Sequence, residues 1–303
     1  MSLDENRPIP PGQPLSEGTS SGPSAGDQSI LSYEVAQQTR TDGAVPHPDP
    51  FGLPSRFVPE DLRVPWGWID LLLLAGVWVG IVALSLLFAV VIQSLGVRLS
   101  ATGRTFFVIF DQIVISFAIL AHLFVHVRSR FRVPFWRTVG WRPLRLEAAS
   151  LPVVSLGLVS SGFLLSILIQ LASGVVGTKA KLPIEAFFQD RRTALFLMLL
   201  SILLAPWFEE TIFRGYIYPV VARSFGVTVG ILATGTLFGL LHAMQLWGGW
   251  GQIGLLIVVG IVFTCARAFT KTVVASYLLH LSYNSFLFIA FLTASHGMRS
   301  LPR

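Results

Sequence analysis

Seven stretches of this chain are long and apolar enough to be read as membrane-crossing helices, and they limit the fold more than any other feature. They cover 68–95, 105–127, 149–176, 194–222, 227–246, 252–269 and 273–294. A bilayer core requires about 20 mostly apolar residues per helix. In lipid only helices and closed barrels pair all of their own backbone groups. The expected fold is therefore all-α, a polytopic transmembrane helical bundle of about seven spans. Composition agrees: 53% of the 303 residues are apolar, 13% are charged, and the mean hydropathy is +0.68. The fourth stretch is too long for one hydrocarbon span, so its C-terminal end is expected to project from the membrane.

Residues 1–65 read differently. They are rich in Pro, Ser, Gly, Gln and Asp and have no sustained apolar periodicity. Such a segment cannot bury enough surface to offset the entropy of ordering it, so it reads as a disordered cytoplasmic tail ahead of a transmembrane domain at 66–303. No apolar signal-peptide core precedes the first span. The single cysteine, Cys265, forms no intrachain disulfide and suits a packing role.

Orientation follows from the positive-inside rule. Arg128, Arg130, Arg132, Arg137, Arg142 and Arg145 crowd the loop after the second stretch. Placing that loop in the cytoplasm also puts Arg223, Arg267, Lys271 and the N-terminus there, as in a cell (inner) membrane protein. The 177–192 loop, with Lys179, Lys181, Arg191 and Arg192, runs against this assignment. The tail holds nine acids and four bases, and the remaining seven acids and eighteen bases give the rest of the chain a net +11. Loops beside anionic lipid headgroups account for that excess, so no nucleic-acid partner is expected.

Against this background the sequence A-P-W-F-E-E-T-I-F-R-G at 205–215 stands out. Acidic side chains inside a span are costly, at about 2.5–3.5 kcal/mol on insertion scales, and mark a function by default. Glu210 and Arg214 are four residues apart, one turn along the same face, and are expected to pair. Glu209 lies about 100° around the helix and is left for another partner. His242 is one candidate, four residues after Phe238. If the chain turns at Ser224-Phe225-Gly226, Glu209 and His242 lie at nearly equal distances from the turn and reach the same height on antiparallel helices. The last stretch adds His280 and Asn284, again at a spacing of four.

Two chemistries fit this set. In one, Glu209 and His242 hold and deprotonate a water while His280 and Asn284 donate to the oxyanion of a scissile carbonyl. In the other, Glu209, His242 and His280 hold Zn²⁺ with an open position for water. No H-E-x-x-H is present. Asp111 reads as structural, Asp70 as interfacial, and His122 and His126 as a solvated face at the membrane edge.

These residues resemble the CPBP intramembrane proteases, the group holding the CAAX prenyl endopeptidases and bacteriocin-processing enzymes. Its motifs appear in order as E-E-x-x-x-R (Glu209, Glu210, Arg214), F-x-x-x-H (Phe238, His242) and H-x-x-x-N (His280, Asn284), over about residues 130–295. The resemblance implies peptide-bond hydrolysis in a cavity open to the cytoplasmic leaflet. Glu209 and His242 would activate water, His280 and Asn284 would form the oxyanion site, and Glu210, Arg214 and Phe238 would support them. The implied substrate is a membrane-anchored or lipidated, CAAX-like peptide or protein, met within the bilayer. The competing reading is a non-catalytic membrane protein of the bacteriocin-immunity or scaffold type. The sequence assigns no oligomeric state.

Overall fold

The computed structural model describes residues 58–144, 150–177 and 191–296. Those residues form helices joined by turns and loops, and seven of the helices carry the architecture. They are α1 (Trp68–Ser94), α2 (Ala101–Arg130), α3 (Leu151–Val176), α4 (Arg191–Phe225), α5 (Val227–Leu241), α6 (Trp250–Thr270) and α7 (Val273–Ala294). Six are long and apolar enough to cross a membrane. The exception is α5, which the sequence placed among the spans. It has 15 residues and ends at His242, so at 1.5 Å per residue it is about 22 Å long, short of a bilayer core of about 30 Å. Its apolar run continues into a turn instead of a helix, closed by Gly248 at φ +90°. Most of the tail reading falls outside the described residues, as do Arg145 and most of the 177–192 loop.

α4 is the axis of the molecule, and its course follows from two prolines. Proline lacks an N–H, and its ring crowds the carbonyl four residues earlier. Ahead of Pro206 the helix opens to π spacing over Leu200–Leu204, and ahead of Pro219 it does so again over Thr211–Ile217. Each wide turn gives the proline room. Glu209 and Glu210 lie on the short α-helical stretch Ala205–Glu210 between them. After Phe225, Gly226 takes φ +91°, and the chain reverses into α5.

Small residues let α5 and α6 approach closely. A Cβ on Gly235 would lie 2.5 Å from the Ile261 nitrogen, and one on Gly260 would lie 2.5 Å from the Gly235 carbonyl oxygen. Such spacing is the usual means by which helices associate in lipid, where the hydrophobic effect gives no drive between them. α3 packs on α7 in the same manner at Gly162, and the Ser166 hydroxyl donates to the Tyr283 carbonyl at 2.7 Å.

One end of the bundle is closed by segments that lie across it. The loop after α2 carries a helical turn at Phe135–Thr138 and packs so tightly on α4 that a Cβ at Gly215 would be 2.6 Å from the Val139 carbonyl oxygen. Trp141 reaches further in and donates from Nε1 to Thr211 Oγ1 at 2.9 Å. Residues 58–67, most of which composition assigned to the tail, form a strap with a 3₁₀ turn at Glu60–Leu62 and buried Leu62, Val64 and Trp66. Trp66 stacks on Tyr216 with ring centroids 4.7 Å apart and donates to the Tyr216 carbonyl at 2.9 Å. Arg223 donates to the Val64 and Trp66 carbonyls. Asp61 Oδ2 accepts from Arg267 Nη1 at 2.9 Å. The strap shows no periodicity because it binds through single anchors.

Asp70, read as interfacial, lies in the first turn of α1. It is buried, accepting from the Gly67 N–H at 2.8 Å and contacting His126 Nε2 at 2.9 Å. His126 therefore faces α1, with His122 stacked on it at 5.7 Å. Asp111 takes the structural role expected of it and accepts from Ser85 Oγ at 2.6 Å, joining α1 to α2.

Candidate active site

The Glu210–Arg214 pair forms as its spacing predicts. Arg214 Nη1 lies 3.0 Å from Glu210 Oε1, and both side chains are fully buried. A buried ion pair is tolerable only when its remaining hydrogen-bonding groups are also met. In Arg214 each of the three nitrogens has a partner. Nη2 donates to the Gly260 carbonyl at 2.7 Å and Nε to Thr264 Oγ1 at 3.2 Å. Its guanidinium lies 4.6 Å from the centre of the Phe238 ring and 5.4 Å from that of Phe263. Phe238 is thus a lid on the cation as well as a neighbour of both histidines. Gly260, Phe263 and Thr264 were not marked by the sequence reading. Their signal was faint, a glycine, a ring and a hydroxyl on an apolar helix.

Glu210 has a second task that spacing alone did not show. Its Oε1 also lies 2.9 Å from His280 Nδ1. An oxygen already held by a guanidinium has no proton to give, so the hydrogen is on Nδ1 and the ring is fixed with Nε2 pointing away from Glu210. Glu210 Oε2 has no partner among the described residues.

Glu209 points elsewhere, as its position around the helix required. Its Oε1 is 3.8 Å from His242 Nε2 and its Oε2 is 3.8 Å from His280 Nε2. These separations are too long for direct hydrogen bonds and short enough for one water to touch both groups. His242 stands at the C-terminal end of α5, where its Nδ1 donates to the Phe238 carbonyl at 2.7 Å. That bond turns Nε2 toward Glu209 with its lone pair free. Glu209 and His242 retain 24% and 21% of their side-chain exposure, against 5% for His280 and 0% for Glu210. The two accessible groups are therefore the ones that could meet a water.

Asn284 is one turn beyond His280 on α7, and its Nδ2 donates to the Ser201 carbonyl at 2.7 Å. Residue spacing does not point to this partner, because a backbone carbonyl leaves no trace in it.

All four groups line one cavity of about 1260 Å³. Its far wall is made by α1 and α2, with Leu71, Trp78 and Ile113 among the apolar lining and Gln112 a polar exception. The volume exceeds the roughly 300–1000 Å³ of ordinary small-molecule sites.

A zinc ion at about 2.0–2.2 Å from tetrahedral N and O ligands would hold those atoms about 3.3–3.5 Å apart. The separations from Glu209 are longer, and they run to two different carboxylate oxygens. Among the described residues no group of three or more His, Cys, Asp or Glu side chains is arranged to hold a metal ion. As placed, Glu209, His242 and His280 do not form a zinc site.

The fold and this site define an integral, multi-pass membrane protein with an acid and two histidines around a cavity between its helices. Residues 191–286 match the family model described as type II CAAX prenyl endopeptidase Rce1-like, a domain of a protease family. The match spans about a third of the chain and contains all seven motif residues from Glu209 to Asn284. No curated protein and no solved structure matches the chain.

Proposed function

We propose that the protein is an intramembrane endopeptidase that cleaves a membrane-anchored or lipidated, CAAX-like peptide with a water activated by Glu209 and His242. The observation that carries this reading is the division of the acid pair. Glu210 is occupied by Arg214 and His280, whereas Glu209 is accessible and shares its edge with His242 Nε2 at 3.8 Å. A water between them would give one hydrogen to the imidazole lone pair and one to the carboxylate. Glu209 takes the proton as the water oxygen attacks the scissile carbonyl. His280, in the form that carries a proton on Nε2 as well as the one Nδ1 gives to Glu210, and the second N–H of the Asn284 amide are the donors for the oxyanion. The proton on Glu209 then passes to the leaving amine.

The cavity supports the substrate class. Its apolar walls suit a lipid chain lying between α1, α2 and the rest of the bundle, with the peptide reaching Glu209. Arg142, Arg223, Arg267 and Lys271 gather with the strap and the Val139–Trp141 loop at one end of the bundle, which the positive-inside rule assigns to the cytoplasm, together with the N-terminus.

The test is cleavage of a prenylated peptide ending in Cys-aliphatic-aliphatic-X by the purified protein in liposomes. Glu209→Gln and His242→Ala are expected to lower kcat by at least about 100-fold, as for loss of a general base, with melting temperature unchanged. Cleavage retained by Glu209→Gln overturns the mechanism. Activity is also expected to persist through EDTA and phenanthroline; loss on chelation and recovery with Zn²⁺ would return the carboxylate and histidines to a metal.

A further inference from the structure

α4 carries its accessible carboxylate, Glu209, five residues after the end of a turn of π-helix, Leu200–Leu204, that lies just ahead of Pro206. In the wide spacing of Leu200–Leu204, the Ala205 N–H donates to the Leu200 carbonyl, five residues back. The next donor in register is residue 206 and the next acceptor is Ser201. Pro206 has no hydrogen to give. The carbonyl left over lines the same cavity as Glu209 and Asn284 and still needs a donor there. Asn284 meets it, with Nδ2 2.7 Å from the Ser201 oxygen.

One turn earlier on the same face of α7, His280 holds Glu210 Oε1 through Nδ1 at 2.9 Å. Two side chains of one helix thus grip α4, one ahead of the Ala205–Glu210 stretch and one at its last residue. Among the described residues the ion-pair approaches of Glu209 are those of 3.8 Å to His242 and His280, so its direction is set by the backbone that carries it. One residue of difference in register rotates a helix by about 100°. If the π turn relaxed to α spacing, Glu209 would turn away from His242. We propose that Asn284 is a positioning residue for Glu209: by taking the place of the N–H that Pro206 lacks, it fixes the π register that aims the carboxylate at His242. This role rests on the reading of Glu209 as the water-activating group and is additional to any contact Asn284 makes with substrate.

The test is a cycle of four proteins: wild type, Asn284→Ala, Pro206→Ala and the double variant. Pro206→Ala restores an N–H in register with Ser201, so it should relieve the need for Asn284. Asn284→Ala is expected to lower the melting temperature by about 3 °C or more in the wild-type background, as for a buried acceptor left unpaired. In the Pro206→Ala background the loss should be less than about half of that. The kcat loss on the prenylated peptide should also be smaller in that background, by the part that aiming Glu209 contributes, while the part owed to the oxyanion contact stays. Equal melting losses in both backgrounds overturn the proposal. Unequal melting losses with equal kcat losses also overturn it, since Asn284 would then serve Ser201 without aiming Glu209. A wild-type protein that cleaves nothing defeats the proposed function; the melting cycle still reports on the Ser201 contact. Amide hydrogen exchange gives a further reading that needs neither substrate nor Pro206→Ala. Exchange over Leu200–Glu210 should be about tenfold faster in Asn284→Ala than in wild type, and unchanged exchange there rejects the positioning role.

Discussion

At the scale of single residues, the site works by giving two neighbouring carboxylates different company. Glu210 is enclosed with Arg214 and His280, and Glu209 keeps contact with the cavity. Removing the cation should therefore do more harm than removing the pair. Arg214→Ala leaves Glu210 buried with its charge met by the His280 N–H alone and is expected to cost about 3–5 kcal/mol, read as a lower melting temperature in detergent. Glu210→Leu combined with Arg214→Met should regain much of that stability, since apolar replacements of similar volume are tolerated where a lone charge is not. The same double variant should stay inactive, because His280 loses the acceptor that orients it. The acid–arginine pairing was legible in the sequence, since a helix fixes the spacing of four. The Glu210–His280 contact was not, because 70 residues separate the two and only packing decides which face of α7 meets α4.

At the scale of elements, the work is done by irregularities within helices. Two π segments ahead of Pro206 and Pro219 rotate the faces of α4, and both prolines were visible in the sequence. How a helix absorbs a proline was not, since a kink, a break and a π turn all answer the same missing N–H. The α5–α6 contact shows the same limit. Gly235, Gly239 and Gly260 are ordinary letters in apolar runs until two backbones meet at them. A Cβ at Gly239 would lie 2.8 Å from the Ile257 nitrogen. Gly239→Ala is accordingly expected to destabilise by about 1–3 kcal/mol. It should also lower cleavage, because His242 rides on the same helix three residues on. A melting curve and a rate from one preparation check both. α5 was expected to span and does not, because hydropathy measures how far an apolar run extends and not where its hydrogen bonding stops.

At the scale of the whole molecule, the cationic end is held together by segments far apart in sequence. Trp66 is fully buried against Tyr216, and Arg267 joins α6 to Asp61 of the strap. Through Tyr216 and Thr211 this end reaches the π segment that begins two residues after Glu209. Trp66→Ala should cost about 3–5 kcal/mol, the usual range for a large buried aromatic, and loosen the end of α4. The expected readout is faster proteolysis within 58–67 together with a lower melting temperature. Unchanged proteolysis there would mean that the strap is not held by this ring.

The sequence by itself determined the helical membrane fold, nearly all of the helix positions and the identity of the polar groups that meet. Each of these follows from local rules: the length of an apolar run, the cost of a charge in lipid, and the spacing of four that puts two side chains on one face. Only the tertiary structure decided that Glu210 holds His280, that Asn284 answers for Pro206 at Ser201, and that residues 58–67 close one end of the bundle. Those contacts join distant parts of the chain through backbone carbonyls and shared acceptors. A carbonyl has the same chemistry at every residue, so which one is left without a partner is settled only when the helices pack.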